Sequence, residues 1–139
     1  MKTFTRMDLP EAANEAARPV VEAAFTVHRE MGPGLLESIY ESCLVKELQK
    51  RNVRFERQKS LPVHYFGELI DEKFRLDLMV EDKVVIEVKA VEALLPIHEA
   101  QLLTYLKLTG CEIGLLINFN VRLIKDGIQR VVLSKKIKK

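Results

Sequence analysis

The sequence predicts an α/β fold in which a mixed central sheet is flanked by helices. Two observations carry that prediction. Apolar residues recur at helical spacing through residues 10–51 and again through 97–109. Between and after those stretches, residues 53–90 and 113–133 show two-residue alternation or short continuous apolar runs, the signatures of strands. The resulting order is helix, helix, three strands, helix, strand, strand.

Each element has its own signal. Residues 10–31, PEAANEAARPVVEAAFTVHREM, read as a helix or a helix pair, with Pro19 as a kink or restart and Val20, Val21, Ala24, Phe25 and Val27 on the apolar side. GPG at 32–34 breaks it. A second helix over roughly 35–51 places Leu36, Ile39, Tyr40, Cys43, Leu44 and Leu48 at helical spacing. VRFERQKSLPVHYF at 53–66 alternates but holds Pro62, which suits an edge or bent strand. Gly67 marks a turn, and 72–80 and 84–90 are strands around the tip Glu81-Asp82-Lys83. Pro96 stands where a first-turn proline favours the helix 97–109, and Gly110 ends it. IGLLINF at 113–119 is apolar throughout, as a strand covered on both faces would be. IQRVVL at 128–133 is the last strand before a basic tail at 134–139.

At 139 residues, 47% of them hydrophobic and 30% charged, the chain fits one domain over 1–139 and is too apolar for disorder. No run is long enough to span a bilayer, and residues 1–9 carry no signal-peptide pattern, so a cytoplasmic protein is expected. Cys43 and Cys111 match no zinc or CxxC spacing and read as reduced thiols; three scattered histidines make zinc a poor candidate. A net charge of +2 neither demands nor excludes nucleic acid. Residues 46–59 hold six Lys/Arg against two Glu, and 122–139 hold seven against one Asp, stretches that could contact phosphates or simply be solvated surface. No GxSxG or GK[ST] pattern occurs, which removes support for acyl transfer and for a phosphate loop.

The chemistry concentrates in RLDLMVEDKVVIEVKA, residues 75–90. On the second strand Val84, Ile86 and Val88 share one face, while Val85, Glu87 and Lys89 share the other. On the first, Leu76, Leu78 and Val80 form one set, and Arg75, Asp77 and Met79 the other. A three-residue tip pairs Val80 with Val84 and brings Asp77 directly opposite Glu87. A two-residue tip would put them on opposite faces. Lys83 is a poor fit to the three-residue loop, whose last position favours glycine. Facing carboxylates repel unless a cation lies between them. Two carboxylates with an ammonium beside them suit a hydrolytic Mg²⁺ site, since the hard cation takes oxygen ligands and the ammonium helps hold an anionic transition state. The same three residues would also serve as a cross-strand salt bridge. His98, Gln101 and Tyr105 lie along one helix face, opposite Leu102, Leu103 and Leu106. Glu37 and Tyr40 lie one turn apart, with Glu37 at the third helical position, a routine place for a helix-start acid.

The stretches GLLESIY, FERQKSLPVHYFGE, RLDLMVEDKVVIEVKA, IHEAQLLTYLKLTG and IGLLINFN together resemble the GxxExxY family of the PD-(D/E)xK nuclease superfamily, over roughly residues 15–133. The resemblance implies a restriction-endonuclease-like αβββαβ core preceded by an extra N-terminal helix, with the site where the central strands diverge. It implies Asp77 as the first acidic ligand, with Leu76 where proline is usual, and Glu87-Val88-Lys89 as the (D/E)xK motif, the Val88 backbone carbonyl joining the metal ligands. Gln101 and Tyr105 match the QxxxY motif of the RecB-like branch. Glu37 matches the family's first-helix glutamate and is a further candidate ligand. The implied activity is Mg²⁺- or Mn²⁺-dependent hydrolysis of phosphodiester bonds in nucleic acid, DNA before RNA. The alternative is a catalytically silent nucleic-acid-binding or protein-interaction module that keeps the fold. The helix at 10–31 also leaves a homodimer open.

Overall fold

A computed structural model describes residues 11–133 of the chain; the start, residues 1–10, and the basic tail at 134–139 lie outside the described residues. Helix α1 (Glu11–Met31) is a single helix that runs through Pro19 without a restart. It is followed by α2 (Glu37–Lys50), then β1 (Phe55–Ser60), β2 (Val63–Tyr65), β3 (Glu68–Asp71), β4 (Arg75–Val80) and β5 (Val84–Lys89). Helix α3 (Pro96–Thr109), β6 (Ile113–Asn118), a 3-10 turn at Ile124–Asp126 and β7 (Ile128–Val132) complete the order. The αβββαβ core is α2, β1, β4, β5, α3 and β6, with α1 as the extra N-terminal helix.

One sheet has the order β1-β4-β5-β6-β7. It is mixed: β5 and β6 run parallel, and every other neighbouring pair is antiparallel. The parallel step is the one that needs α3 as its crossover. Two cores lie on its two faces. Val80, Val84, Ile86, Val88, Leu115 and Ile117 pack beneath α1 and α2. Met79, Val85 and Leu116 pack against Leu102, Tyr105 and Leu106 of α3. All six residues of β6 are buried, as a strand covered twice must be.

Three expectations are corrected here. The stretch 53–66 is two strands, because Pro62 cannot donate to the ladder. Residues 63–65 instead pair with 68–71 in a separate hairpin, and the later strand starts at Arg75 rather than at 72. Helix α2 starts at Glu37, so Glu37 is its first residue rather than its third, and Leu36 stays 70% exposed. On α1 the buried stripe is carried mainly by alanines, Ala13, Ala16, Ala17, Ala23 and Ala24, while Phe25 points outward at 42% exposure. Small side chains let this helix lie close to its neighbours.

A fourth correction positions the site. On β4, Leu78 and Val80 belong to the α1–α2 core, but Leu76 belongs to the α3 core together with Met79. The two-residue alternation therefore breaks around Asp77. The pairing of β1 with β4 shows the same break: it runs through Arg57–Leu78 and Lys59–Leu76 but skips Gln58 and Asp77. Gln58 has φ 52°, a left-handed conformation that a non-glycine residue adopts at a cost. The register is the same on either side, so no residue is inserted and the two strands are distorted at facing positions, Gln58 on β1 and Asp77 on β4.

Candidate active site

The β4–β5 register sets the first pair of residues. Val80 pairs with Val84, Met79 with Val85 and Leu78 with Ile86, the register of the three-residue tip. Glycine is not needed at Lys83 because the positive φ angles fall on Glu81 (53°) and Asp82 (55°). Lys83 N–H closes a tight turn onto Val80 C=O at 2.9 Å, and Lys83 is then the extra residue that moves Val84 opposite Val80.

Beyond Leu78–Ile86 backbone pairing gives way to side chains. Asp77 N–H donates to Glu87 Oε2 at 2.8 Å, and Val88 N–H donates to Asp77 Oδ2 at 2.9 Å. Each carboxylate therefore accepts from the opposite strand's backbone, and the two are held together where the strands part. Glu87 is buried, whereas Asp77 is half-buried. Burial pushes Asp77 up to about 6; the charges of Glu41 and Glu37 add to the rise, while Val88 N–H and Lys89 oppose it. Burial and then the charge of Asp77 push Glu87 up to about 8, opposed by the Asp77 N–H and by Lys89. Proximity and lost hydration thus outweigh the single ammonium nearby.

Helix α2 contributes from one side of the sheet. Glu37, exposed at its first turn, acts through its charge on both Asp77 and Glu87. One turn on, Glu41 was not foreseen from the sequence. It is 5% exposed, accepts from Arg57 Nε at 2.7 Å, and takes the Gln58 amide at 3.1 Å on both oxygens. The same Gln58 amide reaches Asp77 Oδ1 at 3.4 Å. Gln58 and Arg57 were likewise missed. The one available signal was the four-residue step from Glu37 to Glu41, which puts both on one helix face. Tyr40, between them, is structural: its hydroxyl donates to Gly32 C=O at 2.5 Å and accepts from Leu35 N–H at 3.1 Å, and its ring stacks on Phe119. That contact fixes the glycine turn from which Glu37 starts.

From the other face comes Tyr105, buried in the α3 core and packed on Phe74, its hydroxyl pushed up to about 12 by burial and by the charges of Glu87 and Asp77. It remains a phenol, able to donate, throughout the neutral range. The expected polar stripe on α3 is otherwise divided. Tyr105 lies with Leu102 and Leu106 rather than opposite them. His98 Nδ1 accepts from Leu95 N–H at 2.9 Å and so caps the helix start. Gln101 is exposed and its side chain makes no hydrogen bond among the described residues.

Among the described residues no group of three or more His, Cys, Asp and Glu side chains converges as a ready-made metal cage. The donor chemistry nevertheless fits a hard divalent cation. Two carboxylates are held together in partial burial, and both are pushed up because their negative charge is under-compensated, which a cation would relieve.

A family model described as the PD-(D/E)XK nuclease superfamily matches residues 14–131, from within α1 into β7, and so spans every candidate site residue described above. The chain matches no curated protein and no solved structure.

Proposed function

The chain belongs to the PD-(D/E)XK nuclease superfamily, whose members are in general phosphodiester-hydrolysing nucleases, and from that premise we propose that it is a Mg²⁺- or Mn²⁺-dependent nuclease acting at Asp77, Glu87 and Lys89. The observation that carries this reading is the convergence of Asp77 and Glu87 at the point where β4 and β5 separate, each fixed by the other strand's N–H. A salt bridge would leave these carboxyls at or below their usual pKa; here both are raised.

In this reading Asp77 and Glu87 hold the cation, with the Val88 carbonyl as a third oxygen and Glu37 reaching in from α2. When bound, the cation supplies positive charge to the phosphate oxygens that become more negative during cleavage. Lys89, which lowers both carboxylates electrostatically, orients the attacking water and stabilises the anionic transition state. Tyr105 donates a hydrogen bond to substrate or water. Gln101, exposed one turn before it, meets the substrate as it enters. Gln58, its amide held by Glu41 of α2, holds Asp77 in place from the β1 side.

The test is cleavage of single- and double-stranded DNA and RNA with Mg²⁺ or Mn²⁺, wild type beside Lys89→Ala. Cleavage by wild type alone is expected; equal residual activity in both would sink the assignment. Calorimetric Mn²⁺ uptake that disappears in Asp77→Asn and Glu87→Gln is expected as well. Its absence in wild type would favour a silent module that keeps the fold.

A further inference from the structure

A cleft of about 440 Å³ opens between the C-terminal end of α1, the Gly32–Pro33 turn and the segment 122–125 after β6. Its apolar lining includes Phe25, Leu123 and Ile124, and its cations are Arg29, Arg122 and Lys125. No acidic side chain lines it; Glu30 and Asp126, adjacent in sequence, do not. None of the three cations has an ion-pair or hydrogen-bond partner among the described residues. Phe25 and Leu123 are 42% and 46% exposed and so present apolar surface to the cleft.

The cleft is tied to the proposed active site through the backbone. Phe119 N–H donates to Lys89 C=O at 2.9 Å, so the chain leaves β6 beside Lys89 and reaches the cleft three residues after Phe119, at Arg122. His28 Nε2 lies 2.8 Å from Val121 C=O and fastens that segment to α1. Gly32, on the opposite wall, is held by Tyr40, which stacks on Phe119. Both walls are therefore fixed to the framework that carries Lys89 and Glu37.

We propose that this cleft holds one unpaired nucleotide of the substrate strand, its base on Phe25 and Leu123 and its phosphate among Arg29, Arg122 and Lys125. The substrate class rests on the nuclease reading; the site itself is additional to it. Three free cations without an acid demand an anionic ligand, and the exposed apolar floor demands one with a flat or apolar body. A phosphate-bearing nucleotide meets both demands. In a duplex the base faces are stacked within the helix, so the cleft selects unpaired strand. It also supplies the cationic contact that a net charge of only +2 does not promise.

The test measures anisotropy of a short fluorescein-labelled single-stranded oligodeoxynucleotide and of its blunt duplex, in EDTA, over a salt series. Wild type should bind the single strand more tightly. The triple variant R29Q/R122Q/K125Q should lose about tenfold or more, and its log K against log salt should flatten by about 0.7, the slope expected of one neutralised phosphate on a single strand. F25A should weaken single-strand binding without changing that slope. Unchanged binding by the triple variant overturns the proposal, and a wild type that binds duplex and single strand equally overturns the selectivity. Cleavage with Mn²⁺, run in parallel, separates the two readings. If wild type cleaves while the triple variant binds normally, the cleft proposal fails and the nuclease stands. If wild type binds the single strand through the cleft but never cleaves, the nuclease reading fails and the binding site stands.

Discussion

The β4–β5 hairpin carries two carboxylates with a cation beside them at each end, and the two ends behave differently. At the tip, Glu81 and Asp82 meet Arg54 at 3.1 and 3.2 Å, largely in solvent, and the guanidinium is held above its usual range. At the open end Glu87 is buried and Asp77 half-buried, and both are pushed up instead. The residue types are nearly the same. Water and strand pairing differ: the tip is closed by a regular turn, while at the open end side chains have replaced the ladder. Solvent screens the tip charges until they matter little. Burial leaves the other set with an electrostatic deficit that a divalent cation can use.

The comparison breaks if the tip proves as important as the open end. Lys89→Ala and Glu87→Gln should each lower kcat by about 100-fold or more. Glu81→Gln combined with Asp82→Asn should leave cleavage of the same oligonucleotide unchanged. Loss of activity in the tip variant would mean that the hairpin as a whole, rather than its open end, is what catalysis needs.

Gln58 sharpens the comparison, because its left-handed backbone and its amide both serve the open end. Gln58→Ala should lower kcat by about tenfold with little change in KM, since it removes a positioning contact to Asp77. Gln58→Gly should be equally slow but more stable than the alanine variant by about 1 kcal/mol, because glycine takes φ 52° without strain. Thermal melts of the two variants decide this, and an alanine variant as stable as the glycine one would remove the strain argument.

The smallest effect expected is on stability against pH. The carboxyls rise from ordinary values of 3.8 and 4.5 to about 6 and about 8, so between those limits the native state keeps protons that the unfolded chain has released. That stability is complete below about pH 4 and is lost as pH rises through the native values. Melting in EDTA should therefore show a decline from pH 5 to pH 9 that Glu87→Gln flattens. Mn²⁺ should raise the melting temperature of wild type more at pH 8 than at pH 5.5, where protons compete for the same oxygens. Equal shifts at both pH values would place the metal elsewhere.

Much of this was legible in the chain. Pairing arithmetic about Glu81-Asp82-Lys83 brought Asp77 opposite Glu87, since strand periodicity leaves only two registers to choose between. Gly110 ends α3 in the left-handed conformation expected of it, at φ 79°. Glu41 and Gln58 were not legible. A glutamate on a helix and a glutamine on a strand carry no local mark of burial or of positive φ, and both acquire their roles from what α2 and β1 bring against β4.

The sequence by itself determined the order of the three helices and of the five strands of the main sheet, and the two faces of β5, because these follow from side-chain period and from glycine and proline, which act on their immediate neighbours. Only the tertiary structure decided that α2 and α3 meet Asp77 and Glu87 from opposite faces, and that β4 changes face at Asp77. It also decided that Arg29 meets the distant pair Arg122 and Lys125 in one cleft. Desolvation and charge proximity depend on which segments are packed together, and no local pattern records that.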